Sequence, residues 1–163
     1  MLRPAALDDA EAVMRLHLQC HEEAHGRHLP PEFFAQRRES LPARVDSFRK
    51  AMAGGNIPTL AYDGGALVGV AGSGPARDKD APVGLELRWI YSLERVHGSG
   101  AGQALIDAVI AKQAAYLWVL EDNPRAQAFY ARNGFAFDGT RKVMSQEWHS
   151  LPEVRMLRTA VDA

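Results

Sequence analysis

The sequence predicts one mixed α/β domain, of the α+β class, across residues 1–163. Three neighbouring features support this prediction. Apolar side chains alternate with polar ones along a predicted strand, at Leu85, Leu87, Trp89, Tyr91 and Leu93. A glycine-rich turn, HGSGAG at residues 97–102, follows this strand. An apolar stripe then recurs at helical spacing, formed by Ala101, Leu105, Ala108 and Val109 with Ile106 and Ile110 beside it.

Length and composition are those of an ordinary globular domain. A chain of 163 residues is long enough to bury about two thirds of its unfolded surface. Its net charge of −1 gives no general attraction to nucleic acid or to an anionic membrane, so we expect neither partner. The N-terminus carries charges where a secretory signal needs an apolar core, so we expect a cytoplasmic protein. The single cysteine, Cys20, is expected to pack on a helix face rather than act as a nucleophile.

The first half of the chain predicts strands and helices of ordinary length. These are an edge strand at residues 2–5, a helix capped by Asp8 or Asp9, a helical region from about Pro31 to Met52 broken near Pro42, and a hairpin of strands 59–62 and 66–71. The residues from His21 to the second helix are expected to form a loop. The inward face of the first helix is predicted to hold Ala12, Val13, Leu16 and Cys20.

Four histidines recur every three or four residues, at His17, His21, His25 and His28. Such spacing could form a metal-binding face on a helix. However, Gly26 interrupts the helix before the last histidine, and no carboxylate is clearly placed to complete a site. We therefore expect a solvated or substrate-facing surface and no metal.

The second half of the chain predicts a polar loop at 72–82, the strand, turn and helix already described, and a further strand–helix–strand unit. Ala115–Leu120 is largely apolar and therefore an interior strand. Asn123-Pro124 begins a short helix that Asn133-Gly134 ends, with Gly134 in the left-handed cap. The inward residues of that helix are predicted to be Ala126, Phe129 and Tyr130. The last two strands are predicted at 135–137 and 153–158.

A glycine-rich turn before a helix suits a phosphate or pyrophosphate, because unpaired N–H groups and the positive end of the helix dipole meet there. The dinucleotide pattern G-x-G-x-x-G is absent, since Gln103 and Leu105 stand where its third glycine is required. A P-loop needs a lysine that this turn lacks. The remaining interpretations are a main-chain cradle for a pyrophosphate and a simple turn.

Two ordered blocks of the sequence resemble the GCN5-related N-acetyltransferases (GNAT family). The first, similar to the family signature R/Q-x-x-G-x-G/A, comprises Ile90-Tyr91-Ser92 and then His97-Gly98-Ser99-Gly100-Ala101-Gly102-Gln103-Ala104-Leu105. The second comprises Leu117, Val119, Asn123, Ala126, Phe129, Tyr130, Gly134 and Phe135. The resemblance covers nearly the whole chain. It implies a mostly antiparallel sheet of about seven strands, splayed between the fourth and fifth strands and flanked by about four helices.

The resemblance further implies an acyltransferase that uses acetyl-coenzyme A as co-substrate, without a metal, and moves the acetyl group directly to a primary amine. The cofactor would lie in the cleft between the fourth and fifth strands, and Asn123 would contact it near the end of the fifth strand. The main chain of Ile90, Tyr91 and Ser92 would pair with the pantetheine amides. Tyr130 would act as general acid on the departing thiolate, its alternative role being core packing. The main chain of the turn would bind the pyrophosphate, the residues concerned being His97, Gly98, Ser99, Gly100, Ala101, Gly102 and Gln103.

The departures from the family pattern concern the turn and the base. His97 stands where Arg or Gln is usual, and Trp118 occupies a position where some members carry a glutamate base. Glu86 is the better candidate for the general base, directly or through water. Its alternative roles are a solvent-facing strand carboxylate and an ion pair with Arg88.

The acceptor stays open between small-molecule amines and peptide or protein amines, and the oligomeric state between monomer and homodimer. Trp148 and His149 are candidates for lining the acceptor site. The alternatives to an enzyme are a non-catalytic acetyl-coenzyme A sensor and a structural domain whose glycines form only turns.

Overall fold

The computed structural model describes residues 1–160 and contains one seven-stranded sheet with five α-helices. The strands are β1 (Leu2–Pro4), β2 (Thr59–Asp63), β3 (Ala66–Pro75), β4 (Leu85–Ser92), β5 (Ala115–Leu120), β6 (Ala136–Val143) and β7 (Pro152–Arg158). The helices are α1 (Ala10–His25), α2 (Pro31–Glu39), α3 (Leu41–Ala53), α4 (Ala101–Ile110) and α5 (Pro124–Arg132).

The sheet has the strand order β1-β2-β3-β4-β5-β7-β6. The pairs β1–β2, β2–β3, β5–β7 and β6–β7 are antiparallel, whereas β4 and β5 run parallel with Glu86 opposite Tyr116. The predicted α+β fold with a mostly antiparallel sheet of seven strands is therefore confirmed, with five helices in place of about four. None of the helices within residues 1–160 has the length and apolar character needed to cross a membrane.

The chain divides into two compact units. The first unit comprises residues 1–72 and 89–109, and the second comprises residues 73–88 together with those from Ile110 onward. The prediction of a single domain across the chain stays a prediction.

The core of the first unit contains residues of α1, α3, α4, β2 and β3. Val13, Leu16 and Cys20 are buried as predicted, whereas Ala12 is exposed. In α4 the buried face centres on Leu105 and Ile106, and the predicted Ala108 is exposed. The larger side chains of this helix occupy the core because burying them removes more apolar surface from water than burying alanine does.

The helix α1 differs from the prediction at both ends. Asp9 occupies the N-cap position, but its carboxylate accepts hydrogen bonds from the Ala6 amide at 2.7 Å and from the Arg3 guanidinium at 2.7 and 2.8 Å. The loop predicted from His21 is wrong for its first five residues, because α1 continues to His25 and ends at Gly26. Glutamate and alanine favour helix, and His21 turns inward while its charged neighbours face outward. The predicted break between the next two helices is confirmed at Ser40.

Gly69 of β3 allows close packing inside the first unit. A Cβ atom on this residue would lie 2.9 Å from Cδ1 of Leu105 and 3.1 Å from the carbonyl oxygen of Tyr91. The first distance is shorter than real Cβ atoms show, and the second is tighter than nine in ten Cβ contacts, so any larger residue here would require Leu105 and the end of β4 to shift.

The second unit is built around the pairing of β5 with β7 and of β7 with β6. The predicted interior strand is confirmed, since Tyr116 and Leu117 are buried. The predicted polar loop is shorter than expected because β3 continues to Pro75, and β6 extends beyond the predicted 135–137 to Val143. Gly134 has φ +85°, which confirms the left-handed residue after α5.

Two buried arginines of β7 stabilise this unit. Arg155 donates to Asp138 at 2.5 Å, to Asp80 at 3.2 Å and to Thr140 at 3.0 Å, so it holds the loop after β3 beside β6 and β7. Arg158 donates to the carbonyl oxygens of Ala111 at 2.7 Å and Gln113 at 2.8 Å. Buried guanidinium groups are tolerated here because these acceptors compensate for the hydration that each loses.

Candidate functional site

The glycine-rich turn of the first unit joins the end of β4 to the start of α4. Gly98 has φ +80° and Gly100 has φ +91°, both in the left-handed region that favours glycine. A Cβ atom at either position would meet no atom within 4 Å. Glycine is therefore required here by the backbone conformation, and the space beside the turn is open.

Ser99 organises the turn through hydrogen bonds within it. Its hydroxyl donates to the carbonyl oxygen of Val96 at 2.7 Å and accepts from the Ala101 amide at 3.3 Å. The Ser99 amide also donates to the Val96 carbonyl oxygen, at 3.2 Å. The amides of Ser99 and Ala101 thus donate to acceptors within the turn.

His97 links the turn to the strand before it. Its side chain is exposed, and Nε2 lies 3.1 Å from the carbonyl oxygen of Ser92, the last residue of β4. A carbonyl oxygen can only accept, so this contact assigns the ring hydrogen to Nε2. The residue that stands where arginine or glutamine is usual therefore holds the strand end against the turn.

The strand segment Ile90, Tyr91 and Ser92 is half-buried, and the ring of Tyr91 packs against α1. The Tyr91 ring centroid lies 4.6 Å from that of His17 and 5.0 Å from that of His21, with the rings edge to face. Directly after this segment the Leu93 amide donates to the carbonyl oxygen of Val68 on β3 at 3.0 Å.

The histidines of α1 form a packed cluster rather than a solvated surface. The centroids of His17 and His21 are 4.0 Å apart and those of His21 and His25 are 5.5 Å apart. His21 is only 5% exposed, so the expected solvated surface is wrong for this residue, while His28 is exposed. Within residues 1–160 no group of three or more His, Cys, Asp or Glu side chains is arranged to hold a metal ion.

Burial and neighbouring positive charges keep these rings neutral. Burial lowers the pKa of His17 to about 3, with further lowering by the charges of Arg44 and Arg37. The pKa of His21 is lowered even more, again chiefly by burial and then by its histidine neighbours. Nη2 of Arg44 on α3 lies 3.0 Å from Nδ1 of His17. Sequence reasoning missed Arg44 because it lies 27 residues from His17 and on another helix.

Glu86 in the second unit is a buried carboxylate that pairs with the exposed side chain of Arg77. Arg77 donates to its carboxylate at 2.7 and 3.0 Å, and the Tyr116 hydroxyl donates at 3.3 Å. Both alternatives for Glu86 are wrong in detail, since it is 3% exposed and its partner is Arg77 in place of Arg88. Arg88 instead donates to the carbonyl oxygen of Pro75 at 2.9 Å. Burial raises the pKa of Glu86, but the hydrogen bonds and charge of Arg77 outweigh this and hold the pKa below its usual value.

Asn123 and Tyr130 lie at opposite ends of α5. The Asn123 side-chain oxygen accepts from the Ala126 amide at 3.2 Å and so caps the helix, which leaves its NH₂ group outside that bond. Tyr130 is 9% exposed and packs against Phe129 and Phe135, with centroid distances of 5.5 and 6.0 Å. Ala126 and Phe129, also predicted to face inward, are half-buried.

The other candidates have partners of their own or lie at the surface. Trp118 donates from Nε1 to Asp78 at 2.7 Å, and Nζ of Lys142 lies 3.9 Å from the centre of its ring. Trp148 is half-buried, and His149 is exposed with φ +54°. The role of Trp148 and His149 at an acceptor site stays a prediction.

A family model and several known proteins match this chain. Residues 10–135 match the family model described as Acetyltransferase (GNAT) family. Proteins named uncharacterized N-acetyltransferases of Mycobacterium tuberculosis and Mycobacterium bovis are 40% identical over 91 residues, which is 52% of this chain and 55% of each relative. The match thus spans about half the length of these curated relatives.

Solved structures show the same fold at low sequence identity. The PaiA N-acetyltransferase from Thermoplasma acidophilum, in complex with coenzyme A, has a TM-score of 0.72 at 16% identity, covering 98% of both chains. YncA, a putative acetyltransferase from Salmonella typhimurium with its cofactor acetyl-CoA, has a TM-score of 0.66 at 16% identity, covering 100% of this chain and 95% of that one.

The neutral histidine cluster predicts acid sensitivity of the fold. His17 has a pKa of about 3 in the folded chain, against about 6.5 when unfolded. Its contribution to stability is therefore complete above pH 6.5 and is lost as the pH falls below that value. In His17→Gln, the free energy of unfolding measured by urea titration should fall less steeply between pH 6.5 and 4.5, by up to about 1.4 kcal/mol per pH unit.

The matched control is His149→Asn, which removes an exposed histidine and keeps a residue that tolerates the left-handed backbone. It shows how far the removal of a surface histidine by itself changes the slope. Equal slopes for wild type and His17→Gln would contradict the assignment of a buried neutral ring.

Proposed function

The chain belongs to the GNAT acetyltransferase family, and from that premise we propose that it transfers the acetyl group of acetyl-coenzyme A to a primary amine. The observation that carries this proposal is the turn between β4 and α4, in which Gly98 and Gly100 take left-handed conformations beside open space. A turn of this geometry at a helix N-terminus presents main-chain donors to an anion without needing a charged side chain.

The pyrophosphate of the cofactor is assigned to amides of this turn. Ser99 and Ala101 use their amides within the turn, so the glycine amides at 98, 100 and 102 and the first turn of α4 carry most of the binding. The residues from His97 to Gln103 fit the group, since the turn has no nearby side chain at the two left-handed glycines. His97 contributes by fixing the end of β4 to the turn.

The strand segment Ile90, Tyr91 and Ser92 supplies main-chain groups for the pantetheine amides, in the manner of an added strand. The NH₂ group of Asn123 is proposed to donate to the cofactor, while its side-chain oxygen caps α5. The bound thioester supplies an activated acetyl carbon. The protein lowers the barrier by holding the amine and the thioester in one orientation.

Tyr130 is proposed as the general acid that protonates the departing thiolate. Its burial between two aromatic rings fixes the ring orientation, so the hydroxyl keeps one position. Proton donation to a leaving group by a positioned side chain accelerates such a step by about 10²- to 10⁴-fold.

Glu86 is proposed as the general base, directly or through water. The ion pair with Arg77 keeps the carboxylate deprotonated near neutral pH, but it also weakens the carboxylate as a base. The competing role is structural, with Glu86 holding Arg77 and Tyr116 in the second unit.

A non-catalytic acetyl-coenzyme A sensor would retain the turn and dispense with both Tyr130 and Glu86. The cytoplasmic location and the monomeric or homodimeric state stay predictions of the sequence.

The first test concerns the turn. Gly100→Ala forces a side chain into a left-handed backbone position and should raise the Kd for acetyl-coenzyme A, measured by calorimetry, by about tenfold or more. Gly64→Ala is the matched control, because Gly64 is also left-handed and has open space beside it, but lies between β2 and β3. An equal Kd for Gly100→Ala and wild type would remove the pyrophosphate assignment.

The second test concerns the acid. Tyr130→Phe should lower kcat about 100-fold with little change in the Kd for acetyl-coenzyme A. Turnover is measured as thiol release on a panel of amines. Tyr62→Phe, which removes a hydroxyl bonded to Arg3, is the control and should retain wild-type turnover. Wild-type turnover in Tyr130→Phe would exclude it as the acid. Cofactor binding by the wild-type protein without thiol release on any amine would favour the sensor.

The third test separates the two roles of Glu86. If Glu86 is the base, Glu86→Gln should lower kcat about 100-fold. Removing the charge in Arg77→Met leaves burial to raise the pKa of Glu86, so the acid limb of kcat/KM should move to higher pH with the same acceptor. A structural role predicts lower stability in both variants, with kcat and the position of the limb unchanged.

A further inference from the structure

We propose that the acceptor amine carries an oxyanion, a carboxylate or phosphate, which binds to Arg44 of α3 and His17 of α1, with Arg37 of α2 adding a second positive charge. This inference rests on the proposed acetyl transfer and extends it by naming a class of acceptor. The three residues all belong to the first unit.

The contact between Arg44 and His17 fixes the chemistry of the histidine ring. A guanidinium group has donors and no acceptor, so Nδ1 of His17, 3.0 Å from Nη2 of Arg44, must accept. The neutral ring therefore carries its hydrogen on Nε2. His17 is consequently a hydrogen-bond donor, and it is poorly suited to take a proton from the amine.

The charges acting on this ring favour an anion. Both charged groups that lower the pKa of His17, Arg44 and Arg37, are cationic. Arg44 also approaches the carbonyl oxygen of Arg37 at 3.5 Å, which places the end of α2 beside the Arg44 side chain. Guanidinium groups match the planar geometry of a carboxylate or phosphate.

The position of Arg44 and His17 suits the binding of an acceptor rather than of the far end of the cofactor. The His17 and His21 rings pack on Tyr91, whose main chain is proposed to pair with pantetheine. An anion held by Arg44 and His17 would thus be anchored beside the strand segment proposed to bind the arm that ends in the thioester. Anchoring the non-reacting end of a substrate orients its reacting end.

The experiment compares acceptors that differ only in the anion. The pairs are L-alanine with L-alaninamide, and phosphoethanolamine with ethanolamine, so the two arms separate carboxylate from phosphate. Arg44→Gln and Arg37→Gln should raise KM for the anionic member of at least one pair about tenfold or more, with kcat and the uncharged member unchanged. Arg49→Gln, which removes an arginine of α3 paired with Asp46, is the control and should leave both KM values unchanged.

Two outcomes overturn the proposal. Equal effects on the charged and uncharged members would make the Arg44–His17 contact a purely structural link between α1 and α3. A raised Kd for acetyl-coenzyme A in Arg44→Gln would assign the positive charge to the cofactor instead of the acceptor.

A binding measurement separates this proposal from the proposed function. The ring-nitrogen NMR signals of His17 should show Nε2–H in the free protein, and should shift on titration with acetate or inorganic phosphate in wild type but not in Arg44→Gln. Shifts without acetyl transfer to any amine would retain the anion site and reject the transferase. Acetyl transfer without a signal shift for either anion would retain the transferase and reject the anion site.

Discussion

The close approach of α4 and the end of β4 to β3 at Gly69 is the constraint on which the first unit depends. With no side chain at that position, Leu105 and the Tyr91 carbonyl oxygen can lie 2.9 and 3.1 Å from the point where a Cβ atom would stand. The strand end and the helix start are thereby held in place, and the turn between them must reverse the chain within a few residues. Left-handed glycines make that reversal feasible, and open space remains beside both of them.

The features that could be predicted from the sequence are those whose cause is local. Alternation along β4, the apolar stripe of α4, the Asn123-Pro124 start of α5 and the left-handed Gly134 each depend on residues a few positions apart. Errors arose where side chains of similar polarity compete for burial. Ala108 was predicted on the apolar stripe but is exposed, whereas Ile106 beside it is buried. His21 is buried although its segment is rich in charge.

The partners of the candidate site could not be predicted because they come from distant parts of the chain. Arg77 reaches Glu86 from the loop before β4, whereas spacing along the strand favoured Arg88. Arg44 on α3 contacts His17 on α1. Neither pairing leaves a periodic signal, since each depends on how whole elements pack. Helix and strand positions set by local pattern thus determine which residues are available, and tertiary packing decides which of them meet.

The lowered pKa of His17 has a consequence for how the native protein responds to its surroundings. Histidine is ordinarily the side chain that changes charge between pH 5 and 8, but a ring with a pKa of about 3 takes up no proton in that range while the chain stays folded. The His17 ring therefore stays neutral over physiological pH, and the charges that act on it are those of Arg44 and Arg37, which do not titrate in this range. An ionisation observed in the folded protein within that interval therefore belongs to a group other than His17.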